Sequence, residues 1–130
     1  MDYSKLAELY KELESTSKRL EKTYLISEFI KKANAVDLPI LMLLIQGRIF
    51  PTYDTREIGV AARLVLKSIN TATGSSLPNI EKEWKKTGDL GLVSENLIKS
   101  KTQATLHQKK LSIEKVFNNL RKLADLQGSG

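Results

Sequence analysis

Apolar residues along this chain recur every three or four positions, with polar residues between them. Leu6, Leu9, Tyr10 and Leu13 set a first helix, with Ser4 available as its cap. Ser15, Thr16 and Ser17 interrupt it. A second helix places Leu20, Tyr24, Leu25, Phe29 and Ile30 on one broad face, and Lys18, Arg19, Lys22, Lys31 and Lys32 on its outer side. Asp37 then caps a short, almost wholly apolar helix with Pro39 in its first turn, where a missing amide costs least. Gly47 ends that helix, and residues 48–57 read as a loop.

A long helix from about Ile58 to Thr73 follows, with Val60, Ala61, Leu64, Val65 and Ile69 as its core stripe and Gly74 as its stop. Leu77 and Pro78 open another that runs through Trp84 to Gly88, and a short helix spans Asp89 to Ile98. Residues 99–111 read as a polar loop. Ser112 caps a last helix whose stripe is Ile113, Val116, Phe117, Leu120, Leu123 and Ala124. No alternating strand pattern competes with this reading. The expectation is an all-α single compact domain of six or seven helices over residues 1–127, with 128–130 (Gly128, Ser129, Gly130) as the start of a linker.

Composition narrows the function classes. The 130 residues, 41% of them hydrophobic, suffice for a core. With no cysteine there is no disulfide framework, thiolate metal site or cysteine nucleophile. The N-terminus carries no apolar leader, and the run from Leu38 to Ile45 is far short of the ~20 residues that span a bilayer. The expected setting is intracellular (cytoplasmic or nucleoid) and away from membranes. The net charge of +6 is uneven: residues 99–130 hold seven Lys or Arg against two acids, whereas residues 1–98 are near balance. A basic end on a neutral body suits a polyanion, although on charge alone a solvated tail region is the commoner explanation.

Catalytic constellations are scarce. His107 is the only histidine, which leaves no multi-histidine metal site or Ser-His-Asp triad. No phosphate-binding loop of the Gly-x-x-x-x-Gly-Lys type and no Gly-x-Gly-x-x-Gly occurs. The most informative stretch is Lys86 to Asn96. There Gly88 stops one helix and Asp89 caps the next within two residues, making a tight corner with a partly positive helix end.

The wording of that corner, with other segments in fixed order, resembles the N-terminal DNA-binding domain of ATP-dependent DNA ligases of archaea and eukaryotes. The segments are Leu6–Tyr10, Leu13–Thr16, Gly47–Pro51, Arg56–Val60, Thr71–Gly74, Thr87–Gly91, and Leu111–Ile113 leading into Val116 and Phe117. The likeness covers roughly the first half of that domain, so the chain reads as an excised fragment or an N-terminal module. It implies a non-sequence-specific module that grips nicked duplex DNA from the minor-groove side during replication, repair and recombination. The family's catalytic Lys-x-Asp-Gly occurs nowhere in the sequence, so the chain itself is expected to have no cofactor and no ligase chemistry. ATP and Mg2+ are expected only for the catalytic domains.

Under this resemblance Gly59, Gly88 and Gly91 are candidates for close backbone approach to phosphate. Arg48, Arg56, Lys99, Lys101, Lys109 and Lys110 are candidates for neutralising it. Each glycine also has a purely structural explanation as a helix stop or packing position. Some archaeal ligases carry a sliding-clamp segment of the Gln-x-x-Phe-Phe kind; here Gln103, Leu106 and His107 occupy that place. Expected partners are double-stranded or nicked DNA, the clamp, and the remaining ligase domains in cis. The alternative is a helical protein-interaction module with no nucleic-acid role.

Overall fold

The computed structural model describes residues 1–100 and 110–126. Seven α-helices occupy them: α1 (Tyr3–Glu14), α2 (Arg19–Lys31), α3 (Leu38–Ile45), α4 (Ala62–Thr73), α5 (Leu77–Thr87), α6 (Leu90–Lys99) and α7 (Ile113–Asp125). The all-α class read from the sequence is the class observed. The chain forms two compact units, Met1–Gly59 with Lys109–Gly130, and Val60–Gln108.

The first unit is built on α1, α2, α3 and α7. Its core holds Leu6, Leu9, Leu41, Leu44, Ile49, Phe50, Ile113, Phe117 and Ala124, with α1 packed on α2 and α7 and α3 packed on α7. An antiparallel bridge between Asp2 and Ser112 ties the start of α1 to the start of α7. It is made by Tyr3 N–H to the Leu111 carbonyl at 2.8 Å and Ile113 N–H to the Met1 carbonyl at 3.0 Å. Ser112 caps α7 by accepting from the Lys115 amide at 3.1 Å. The Tyr10 hydroxyl donates to the Leu44 carbonyl at 3.0 Å. Burial pushes that hydroxyl's pKa up to about 12, so it stays a donor at any ordinary pH.

Three local readings are corrected in this unit. Ser4 lies inside α1, and Asp2 occupies the cap position, where the bridge fixes the chain entry without a side-chain cap. Asp37 stands at the cap of α3 but sends its carboxylate to the Met1 ammonium at 3.4 Å instead of to an α3 amide. On α2, Leu25 and Phe29 face the core, whereas Leu20 and Tyr24 are 86% and 64% exposed. At 100° per residue these two pairs fall on different sides of the helix, so the expected single broad face does not exist.

The second unit is a three-helix cluster of α4, α5 and α6 around Leu66, Ile69, Ile80 and Val93, with Val65, Trp84, Leu90 and Leu97 packed on it. Here α4 begins at Ala62, later than expected. Gly59 sits at φ +66° and Ala61 is extended (φ −80°, ψ 160°), so no helix can run through them. Val60, Ala61 and Leu64 are therefore exposed, and the buried stripe shifts to Leu66 and Ile69. Gly74, at φ +74°, stops α4, and Ser76 caps α5 by accepting from the Asn79 amide. No helix among the described residues is long and apolar enough to cross a membrane.

Candidate nucleic-acid interface

In the second unit the α5–α6 corner forms as its residue types require. Gly88 takes φ +69° and donates its amide to the Trp84 carbonyl at 2.7 Å, closing α5. The Asp89 carboxylate then accepts from the Gly91 amide at 2.8 Å and the Leu92 amide at 3.3 Å. A Cβ on Gly91 would meet that carboxylate at 3.1 Å, so the cap itself favours glycine there. Open space surrounds Gly88. Lys99, at the far end of α6, pairs with Glu95 at 2.8 Å and stays largely exposed. Beside the corner, Arg63, Lys85, Leu66, Trp84 and Gly88 border a groove of about 550 Å³.

The first unit holds a different constellation. The segment from Ile49 to Arg56 is pinned by three arginines gathered around Phe50. Arg48 donates to the Phe50 and Pro51 carbonyls at 3.2 and 3.4 Å. Arg121, from α7, donates to the Ile49 carbonyl at 2.9 Å, and its guanidinium lies 4.4 Å from the Phe117 ring centre and 5.0 Å from that of Phe50. Arg56 stacks 4.0 Å over Phe50 and chelates Asp54, with contacts of 2.8 to 3.2 Å, while its other nitrogen reaches Asp125 at 3.5 Å. The Arg56 side chain, followed by its own backbone amide, holds the Asp54 carboxyl down to about 2. Tyr53, between these anchored residues, is 86% exposed.

The expected site residues thus fall in two groups. Arg48, Arg56, Gly59 and Lys110 belong to the first unit, and Gly88, Gly91 and Lys99 to the second. Lys110 lies 3.9 Å from Asp2 and is highly exposed. Lys101, Lys109, Gln103, Leu106 and His107, with the 128–130 linker, lie outside the described residues. Arg48 proves to be an internal brace, and Arg56 is already paired to carboxylates. Arg121 has no place among the residues expected from the sequence, where it reads as one more charge of the basic end. Its four-residue spacing from Phe117 on one helix is the signal that marks it, because that spacing stacks side chains.

The chain is basic, and the only regular elements among its described residues are α-helices. Similarity to known proteins specifies the class further. Residues 2–130 match the family described as DNA ligase N terminus, and the chain belongs to that family. It is 41% identical to a DNA ligase of Methanothermobacter thermautotrophicus over 97% of its own length and 23% of that protein. It is 38% identical to a DNA ligase of Thermococcus fumicolans over 100% of its length and 23% of that protein, and 35% identical to one from Nitrosopumilus maritimus over 99% and 22%. The chain therefore spans under a quarter of the curated relatives it matches.

Proposed function

We propose that this chain is the DNA-gripping N-terminal module of an ATP-dependent DNA ligase, holding nicked duplex DNA from the minor-groove side without reading its sequence. The observation that carries the reading is the family match over residues 2–130. The uneven charge supports it, because phosphate neutralisation supplies most sequence-independent affinity. Further support comes from Arg63 and Lys85 beside the α5–α6 corner, and from Lys18, Arg19 and Lys22 at the start of α2. Joining belongs, on this reading, to other domains of the parent protein, with ATP and Mg2+, since this sequence carries no Lys-x-Asp-Gly. The setting is then intracellular, with the remaining ligase domains as partners in cis and a sliding clamp as partner in trans.

The test is titration of a nicked duplex into the protein across a salt series. Affinity should fall steeply between about 50 and 200 mM salt. Replacing both Lys109 and Lys110 by Glu should weaken binding and flatten the slope. A duplex that moves no amide resonance at low salt refutes the proposal. A protein-interaction role is the second reading, favoured by the exposed Leu20 and Tyr24 on α2.

A further inference from the structure

Along α5 and the glycine that closes it, Glu81, Trp84, Lys85 and Gly88 follow the i, i+3, i+4, i+7 spacing that lines up one side of a helix. That side meets the head of α4, where Ala62, Arg63 and Leu66 face it across a groove of about 550 Å³. Small residues keep the groove open. Ala62 presents only a methyl group, and open space lies where a Cβ on Gly88 would stand. The apolar part of the groove is the half-buried Trp84 with the buried Leu66. All of these residues belong to the second unit.

Charge sets this groove apart. Arg63 and Lys85 both border it and are exposed, and neither has an ion-pair partner among the described residues. Elsewhere in the unit Lys86 and Lys99 are paired, with Glu83 and Glu95. Glu81 stands four residues before Lys85 on the same helix yet forms no ion pair with it, so the groove carries two free cations against one carboxylate. The first turn of α4 holds no acidic residue and receives no side-chain cap from Ala61, which leaves the partly positive end of that helix uncompensated beside Arg63.

We infer that this groove seats one strand of the duplex backbone, with a deoxyribose against the Trp84 ring and the neighbouring phosphates on Arg63 and Lys85. This rests on the DNA-gripping reading above and gives that grip a place on the molecule. Charge complementarity selects the occupant. Two unpaired cations beside an apolar ring match a strand in which anionic phosphates alternate with apolar sugar edges. A purely apolar helix laid in the groove would cover both cations without supplying a counter-charge. Sugars and phosphates stay outward in a duplex, so the contact requires no base to leave its stack and carries no sequence information.

The test uses the whole chain and a fluorescein-labelled nicked duplex, read by anisotropy in a salt series and by the indole N–H resonance of Trp84, the single tryptophan of the chain. Duplex binding should move that resonance along the same isotherm as the anisotropy. Arg63→Gln with Lys85→Gln should lower the slope of log affinity against log salt by about 2, so that its loss between about 50 and 200 mM salt is about tenfold smaller than the parent's. Lys67→Gln with Lys82→Gln takes two exposed charges off α4 and α5 outside the groove, and should keep the parent's slope. Amide exchange in α4, α5 and α6 should match the parent in both double variants, since all four side chains are exposed. If the parent binds duplex with the Trp84 resonance unmoved, or if the two double variants change the slope equally, the inference is overturned while the DNA-gripping reading stands; a groove that takes an acidic peptide instead gives the first of these results. A parent that binds no duplex removes both.

Discussion

Replacing Arg121 removes one side chain that three features of the first unit share. It donates to the Ile49 carbonyl at 2.9 Å and stacks on Phe117 and Phe50 at 4.4 and 5.0 Å. A hydrogen bond from a charged donor contributes about 1.5–3 kcal/mol, and each partly shielded cation–π contact about 0.5–1. These contributions share one group and do not add in full. Arg121→Ala is therefore expected to destabilise the first unit by at least about 2 kcal/mol, a rise of about 30-fold in its opening constant. Arg121→Lys should lose more than about 1 kcal/mol, because an ammonium cannot lie flat on two rings while directing an N–H at a carbonyl. The assay is residue-resolved amide exchange on α3 and α7. Trp84 emission is the wrong probe, since Trp84 packs on the core of the other unit. An Arg121→Ala variant with unchanged exchange in α3 and α7 would refute the reasoning, and Lys122→Ala, at an exposed position of the same helix, provides a control for loss of one positive charge.

Further outcomes follow from other sites. Ile80 is fully buried in a core of four residues, so Ile80→Ala should cost about 2–5 kcal/mol and strip exchange protection from α5 and α6; intact protection there contradicts the packing assigned to it. Asp89→Ala should fray the start of α6 at a cost of about 0.5–2 kcal/mol, most visibly at the Gly91 and Leu92 amides, while Asp89→Asn should lose less, because it keeps an accepting oxygen. The Asp54 carboxyl is lowered in the fold to about 2, against an unfolded value of about 3.9. The stability it lends is therefore complete above the unfolded value and disappears as pH falls through about 2. Carboxyl NMR should find Asp54 still ionised at pH of about 3, between those two values, and Arg56→Gln should return it toward the ordinary range; an ordinary titration in the parent would show that the chelate is not formed in solution.

Helix punctuation is legible wherever one residue type decides the backbone locally. Gly47, Gly74 and Gly88 each take positive φ at a helix end, and Ser112 and Asp89 each accept first-turn amides. Legibility fails where the deciding partner lies far along the chain. Asp2 displaces Ser4 at the head of α1 because Ser112 bridges to it. Arg121 braces Ile49 across 72 residues, which no local window can see. Gly59 reads as a candidate for close approach, but its positive φ also belongs to the extended stretch before α4, and that displaces the expected stripe. On α2, apolar residues counted without their angular positions suggest a face that the helix does not have.

The bridge between Asp2 and Ser112 also bears on the order in which the chain can be completed as it is made. Ile113 and Phe117 belong to the same core as Leu6 and Leu9, so α1, α2 and α3 wait at the ribosome for a helix translated after every other one described. By contrast α4, α5 and α6 are contiguous and share their own buried centre, so every partner in that cluster has been made once Lys99 emerges. The segment synthesised in the middle thus has all its packing partners before the one synthesised first, whose Leu6 and Leu41 share a core with residues of α7.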